Sequence, residues 1–250
     1  MLAITRKNYI REQLRENHSV QITSLADELN VTKETIRRDL RDLEESKELI
    51  RTHGGAYILD GVQNDLDIST RQVLRTEEKE IIARKCSSII QNGDYIFLDA
   101  SSTCYFIAKA VMHKKITVLT SSLEIINLLS QMPNIRLFAV GGEYSADTGS
   151  FGSSSAVRNL ELYYFDKSFI SCRSVSLESG LTDTNDSDAM LHEIALSHAH
   201  EKYLAIDHTK LNRSSFSKIA PVASLNGIIM DCDFPDNWKD HLKENNVQIY

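Results

Sequence analysis

Two hundred and fifty residues, 42% apolar and 25% charged, are ordinary globular composition; they exclude wholesale disorder, and no run approaches the ~20 consecutive apolar residues of a membrane span. The net charge of −7 is unevenly laid, because residues 1–56 hold ten Lys/Arg and ten Asp/Glu, leaving 18 against 25 in the remainder. A duplex would be repelled by the acidic part and tolerated by the neutral one, so nucleic-acid contact is confined to the N-terminal segment.

The start, MLAITRKNYIREQL, lacks the apolar core of a signal peptide and reads directly as a helix over residues 3–16, with Ile10 and Leu14 one turn apart. A second helix near Thr23 to Leu29 carries Leu25, Ala26 and Leu29 on one face. Asn30 marks a sharp turn, since Asn tolerates the left-handed backbone. A third helix runs from Lys33 to about Glu48, with Thr32 as N-cap and Ile36, Leu40 and Leu43 as its apolar stripe. Leu49 to Leu59, two short extended runs around Gly54-Gly55, reads as a hairpin. These elements are the ingredients of a winged helix-turn-helix over residues 1–58; residues 59–76, polar and without clear period, read as a linker. From residue 77 to 250 short apolar strands (95–98, 116–119, 135–140, 168–171, 203–206, 227–230) are separated by helical segments, which predicts an α/β domain with a mainly parallel sheet.

On the third helix, stepping 100° per residue from Ile36 turns Arg37, Arg38 and Arg41 away from the apolar stripe. Lys33 to Arg41 holds four basic and two acidic residues and Asp42 to Glu48 four acidic and one basic, the reverse of what the helix dipole prefers. A solvated face with Arg38–Asp42 and Arg41–Glu45 ion pairs would also fit, but the preceding helix and the hairpin bearing Arg51 and His53 favour a reader of double-stranded DNA. The expected DNA contacts are Lys33, Thr35, Arg37, Arg38, Arg41, Arg51 and His53.

In the second domain, Asp99-Ala100-Ser101-Ser102-Thr103 sits between a strand and a helix, as Thr120-Ser121-Ser122 does after the next strand. Hydroxyls and free N–H groups at a helix N-terminus make an anion site, although each junction alone would also pass for a simple Ser N-cap. Gly141-Gly142 ends a third strand, where backbone could approach a ligand closely. Lys210, in Asp207-His208-Thr209-Lys210, could supply a point charge for a phosphate. Ligands of open parallel sheets collect at the carboxyl ends of strands, where all of these fall.

The run Leu25 to Leu40, with TIRRDL at 35–40, then Leu43-Glu44 and His53-Gly54-Gly55-Ala56, resembles the DeoR family of bacterial transcription repressors. Residues 77–232 resemble the family's sensor half, a domain similar to ribose-5-phosphate isomerase, through Glu78-Lys79, Ile82-Ala83, Gly93-Asp94, Asp99 to Thr103, Thr120 to Leu123, Gly141-Gly142, Gly152, Gly180 to Asp183, Asp207, Lys210 and Asp231. The resemblance implies a homo-oligomer, dimer or tetramer, that binds operators of carbohydrate genes and responds to a phosphorylated sugar. It implies an effector set of Asp99, Ser101, Ser102, Thr103, Ser121, Ser122, Gly141, Gly142, Gly152, Asp207 and Lys210, with no cofactor and no enzymatic activity. Departures are Ser101-Ser102-Thr103 in place of a frequent Gly-Thr-Thr, Ser121 in place of a frequent Asn, Ser171 and Ser174 in place of glycines, and His192 in place of a frequent Lys. A DNA-bound oligomerisation scaffold without a ligand, or an active isomerase using Asp99 or Asp183 as base, remain alternatives.

No metal site is expected. Cys86, Cys104, Cys172 and Cys232 form no CxxC pair and read as reduced thiols of a cytoplasmic protein, while His192, His198 and His200 lack the i,i+4 spacing of a helical zinc site, the last two read as diverging on one helix.

Overall fold

The computed structural model describes residues 2–17, 19–46, 48–51, 54–57 and 68–250. The chain divides into two compact units, Met1–Leu74 and Arg75–Tyr250.

The first unit contains helices α1 (Ala3–Asn17), α2 (Ile22–Glu28) and α3 (Lys33–Glu45), strands β1 (Ser19–Gln21), β2 (Ile50–Arg51) and β3 (Gly55–Tyr57), and helix α4 (Ile68–Val73). Ile10, Leu14, Ile22, Leu25, Ala26, Ile36, Leu40, Leu43 and Leu49 form one apolar cluster, so the stripes read from the sequence are the faces buried. Asn30 takes φ +48°, and the Val31 N–H donates to Ala26 O at 3.0 Å, which closes the turn between α2 and α3. The Thr32 side chain accepts from Thr35 N at 3.2 Å and caps α3. That helix ends three residues before the sequence expectation, because the Leu43 carbonyl takes the Glu48 N–H at 3.0 Å.

The hairpin carries a third strand that sequence reading missed: β1, β3 and β2 form an antiparallel sheet in that order. Gly55 lies inside β3, where a Cβ would stand 1.9 Å from the Val20 carbonyl oxygen, so β1 can pair there only with a glycine. The stretch 59–76 is not structureless, since α4 occupies 68–73 and the next helix starts at Thr76; the part before residue 68 lies outside the described residues.

The second unit runs α5 (Thr76–Ile89), β4 (Tyr95–Leu98), α6 (Ser102–Val111), β5 (Ile116–Thr120), α7 (Leu123–Leu129), β6 (Ile135–Ala139), β7 (Glu143–Ser145), β8 (Ser150–Gly152), α8 (Ser154–Leu160) and β9 (Phe165–Ile170). It continues through β10 (Ser174–Ser176), β11 (Gly180–Asp183), α9 (Asp186–Ser197), β12 (Ala199–Ile206), β13 (Ser217–Ala220), β14 (Gly227–Met230), α10 (Asp236–Glu244) and β15 (Gln248–Ile249). Seven strands form a parallel sheet in the order β15-β14-β12-β9-β4-β5-β6. One face, with Ile96 and Leu98, packs against Ile82, Cys86, Ile107 and Ile125 of α5, α6 and α7; the other, with Phe97 and Ile170, packs against Leu160, Ala195 and Trp238 of α8, α9 and α10. The central strands thus bury both faces, which is why runs such as Ile96–Leu98 and Ile228–Met230 are continuously apolar instead of alternating.

The chain adds strands outward from β4 to β6, then returns to add β9 on β4's other side. The direction reverses between β4 and β9, a switch point of the kind at which open α/β sheets bind ligands beyond the carboxyl ends of their strands. An antiparallel sheet β10-β11-β13 and the hairpin β7–β8, neither expected from the sequence, are separate from the main sheet. His198 and His200 do not share a helix: α9 ends at Ser197 and His200 lies in β12.

Candidate functional site

The first unit places Lys33, Arg37, Arg38 and Arg41 on the exposed side of α3, opposite the buried Ile36, Leu40 and Leu43, with Thr35 half-buried. Their pairing differs from the i,i+4 pattern read in the sequence. Asp42 is taken by Lys7 of α1 at 2.6 Å, which holds its carboxyl below the usual range, and Arg38 and Arg41 make no ion pair among the described residues. Arg37 leans on Glu34 at 3.1 Å, and the Thr35 hydroxyl lies 2.9 Å from that of Thr32.

Arg51 has a structural partner: its Nε donates to Glu44 Oε2 at 2.7 Å and its N–H to Glu44 Oε1 at 3.0 Å, tying the hairpin to α3 and lowering the Glu44 pKa. His53 lies outside the described residues. Sequence reading also missed Arg6, whose guanidinium is bidentate on the buried Asp39 and fixes α1 against α3. No local pattern announces that pair, since its members are 33 residues apart.

In the second unit, strand register sets Leu98 beside Thr120 and Phe169, and Ile170 beside Leu204. Asp99, Ser121, Ser171 and Asp207, each the residue after its strand, therefore share one edge of the sheet. Asp99 is fully buried there and spans the switch point: its Oδ1 accepts the Ser101 N–H at 2.8 Å and its Oδ2 the Ser171 N–H at 2.6 Å. The Ser101 hydroxyl then caps α6 by accepting Cys104 N at 3.0 Å. The amides of Ser102 and Thr103 have no internal acceptor among the described residues, and both side chains are buried at the helix's positive end.

The second junction is more occupied. Ser122 N donates to Thr120 Oγ1 at 3.1 Å, Ile125 N to Ser122 Oγ at 3.3 Å, and Leu123 N to Gly149 O at 3.1 Å. Ser121 gives its carbonyl to Phe151 N at 2.8 Å, so β8 lies across this junction. The glycines beyond β6 serve the same packing. A Cβ on Gly142, at φ +148°, would lie 2.2 Å from the Gly152 carbonyl, and one on Gly152 2.9 Å from Ser187 Oγ, whereas Gly141 is exposed with open space around it. At Gly142 the close approach is to the carbonyl of Gly152.

Lys210 follows β12 on a short turn capped by Asp207, whose Oδ1 accepts from Thr209 N at 3.0 Å and stands 3.9 Å from Arg75 Nε. Burial pushes the Asp207 carboxyl up, but Lys210, the Thr209 hydroxyl and Arg75 together outweigh it and hold it below its ordinary value. Asp183, Lys210 and Asp99 all act electrostatically on the Cys172 thiol, which burial foremost has driven upward. Asp183 itself accepts Arg173 N at 3.1 Å and Thr184 N at 2.8 Å.

Cys86, Cys104 and Cys172 are buried and free, and Cys232 is exposed and free. His208, Asp231 and Cys232 bring three potential metal-ligand atoms within 4.8 Å of one another, a grouping not foreseen in the sequence; Asp231 accepts both His208 N and His208 Nδ1 at 2.8 Å. No helix among the described residues is long and apolar enough to cross a membrane.

The sequence profile of the DeoR-like helix-turn-helix domain matches residues 6–62, and that of the DeoR C terminal sensor domain matches residues 74–232. The chain is 31% identical over 249 residues to the HTH-type transcriptional regulator YulB of Bacillus subtilis (strain 168), covering 100% of this chain and 96% of that protein. It is 30% identical over 248 residues to the lactose phosphotransferase system repressor of Staphylococcus aureus (strain MRSA252), covering 98% and 96%. Among solved structures, ribose 5 phosphate isomerase A from Neisseria gonorrhoeae aligns at TM-score 0.41 and 17% identity, over 59% of this chain and 56% of that one.

Proposed function

Starting from a chain that belongs to the DeoR family of transcriptional regulators, with its helix-turn-helix and its sensor domain, we propose a repressor of carbohydrate genes whose operator affinity is set by a phosphorylated sugar. The operator is read by α3, with Arg38 and Arg41 as the main contacts and Lys33, Thr35 and Arg37 beside them; Arg51 acts chiefly by holding the hairpin. The effector binds above the switch point, its phosphate on the Ser102 and Thr103 amides and hydroxyls, with Ser101, Ser121, Ser122 and Lys210 around it. Gly142 and Gly152 shape this edge by packing, and Asp207 positions Lys210. One observation carries the reading: Asp99 bridges the two strands at the switch point while leaving the next two amides of α6 unengaged.

The relatives, named as a transcriptional regulator and a phosphotransferase system repressor, support a regulator in place of an isomerase. The protein acts in the cytoplasm as a homo-oligomer, two half-sites being contacted by linked modules.

A ligand releases DNA only by binding the DNA-incompetent arrangement more tightly, with typical coupling of ~1–3 kcal/mol. The test is calorimetry with fructose, galactitol, tagatose, ribose and glycerol phosphates, paired with operator titrations under each. Lys210→Ala should abolish the response and leave unliganded repression intact. If no ester raises the melting temperature or shifts operator affinity, the ligand-free scaffold replaces this reading.

A further inference from the structure

α9 buries Ala189, Leu191, Ala195 and Leu196, and among them His192, 9% exposed. Its Nε2 lies 3.4 Å from Asp99 Oδ2, while its Nδ1 is buried with no hydrogen-bond partner in the protein. A buried ring nitrogen left unpaired on an otherwise apolar helix face is a standing cost, and such groups persist where something other than the fold uses them. The position of the ring is informative. Asp99 holds Ser101 at the entrance to α6 through Oδ1 and meets His192 through Oδ2, so one carboxylate links the imidazole to the helix end proposed for the phosphate.

With its ring hydrogen on Nε2, facing the carboxylate, the imidazole presents Nδ1 as a lone-pair acceptor. Its natural partner is a hydroxyl.

We propose that His192 Nδ1 accepts a hydrogen bond from a hydroxyl of the bound phosphate ester, making His192 the group that distinguishes polyol and sugar phosphates from simple alkyl phosphates. The inference rests on the effector reading above. It commits that reading to a class of ligand, a phosphate ester with a hydroxyl close to the phosphate.

The experiment is calorimetry on the full chain, with the sugar and glycerol phosphates of the panel set against propyl phosphate, which has the same charged group and no hydroxyl. His192→Gln keeps a polar group toward Asp99 and removes the one at Nδ1; His192→Asn does the reverse. The unaltered chain should bind at least one hydroxylated ester more tightly than propyl phosphate, and His192→Gln should lose that preference by about tenfold, the scale of one lost hydrogen bond. His192→Asn should keep most of it, and propyl phosphate should bind all three proteins alike. Because either variant could fail to fold, 15N NMR of the unaltered protein gives an independent reading: the Nδ1 resonance of His192 should move on adding the preferred ester and stay put with propyl phosphate. A preference retained in His192→Gln, equal losses for both kinds of ester, or an unmoved Nδ1 resonance overturns the role of His192 and leaves the effector reading standing. If the unaltered chain binds no ester, both fall.

Discussion

Asp99→Asn tests whether the switch point is held together as the geometry says. The substitution keeps shape and volume in a site with no solvent exposure, so the change is one of hydrogen-bond capacity and charge. The carboxylate accepts from Ser101 N at 2.8 Å and Ser171 N at 2.6 Å on separate oxygens. An Asn amide offers one acceptor and turns an NH2 toward the other N–H, leaving a buried donor opposed by a donor. An unsatisfied buried group costs about 1–3 kcal/mol, and the surviving bond loses its charge assistance, so the total is roughly 2–4 kcal/mol. At about 2–4 °C per kcal/mol for a domain of this size, the sensor unit should melt roughly 4–16 °C lower. Calorimetry of the full chain reads this directly, and the transition of the N-terminal unit should stay where it was. A sensor transition within about 1 °C of the unaltered protein, a shift smaller than any single lost bond would give, would refute the argument.

Arg38→Ala and Arg41→Ala should each weaken operator binding by about 1–3 kcal/mol in gel-shift titrations while leaving the melting temperature unchanged, because neither side chain holds the fold together; unaltered affinity in both would remove α3 as the reading helix. Gly55→Ala should cost at least about 1–3 kcal/mol and impair operator binding, since the new Cβ would stand 1.9 Å from the Val20 oxygen; denaturant unfolding indistinguishable from the parent would contradict the strand pairing. Asp207 has its folded pKa below its ordinary value of 3.8, so its contribution to stability is fully present above that value and is lost as pH falls through the lower folded one. Stability of the unaltered sensor unit should therefore fall more steeply with acid below pH 3.8 than that of Asp207→Asn, and parallel profiles would rule out the linkage.

The sequence by itself determined what depends on residues a few positions apart. The stripe Ile36, Leu40, Leu43 and the Thr32 cap repeat at helical spacing, Asn30 sits where a left-handed residue is needed, and short apolar runs between helices announce buried parallel strands. The exposed basic face of α3 followed from these, because a helix with one side buried presents the other. The hydroxyl junctions were legible too, as local strand-to-helix transitions. Tertiary structure alone decided what depends on pairing across long separations. A three-residue strand such as Ser19–Gln21 has no periodicity to read and exists only because Gly55 lets it approach. Glu44 takes Arg51, and Lys7 takes Asp42, against the spacing that suggested pairs within α3. The strand order, and with it the switch point, is a choice among topologies that leave the same apolar runs equally buried. Only that choice brings Ser171 and His192 to Asp99, across 72 and 93 positions of the chain. A carboxylate that serves two distant groups carries no mark of it in its neighbours, because contacts of this kind are set by where the backbone ends up, not by what stands beside the residue in the chain.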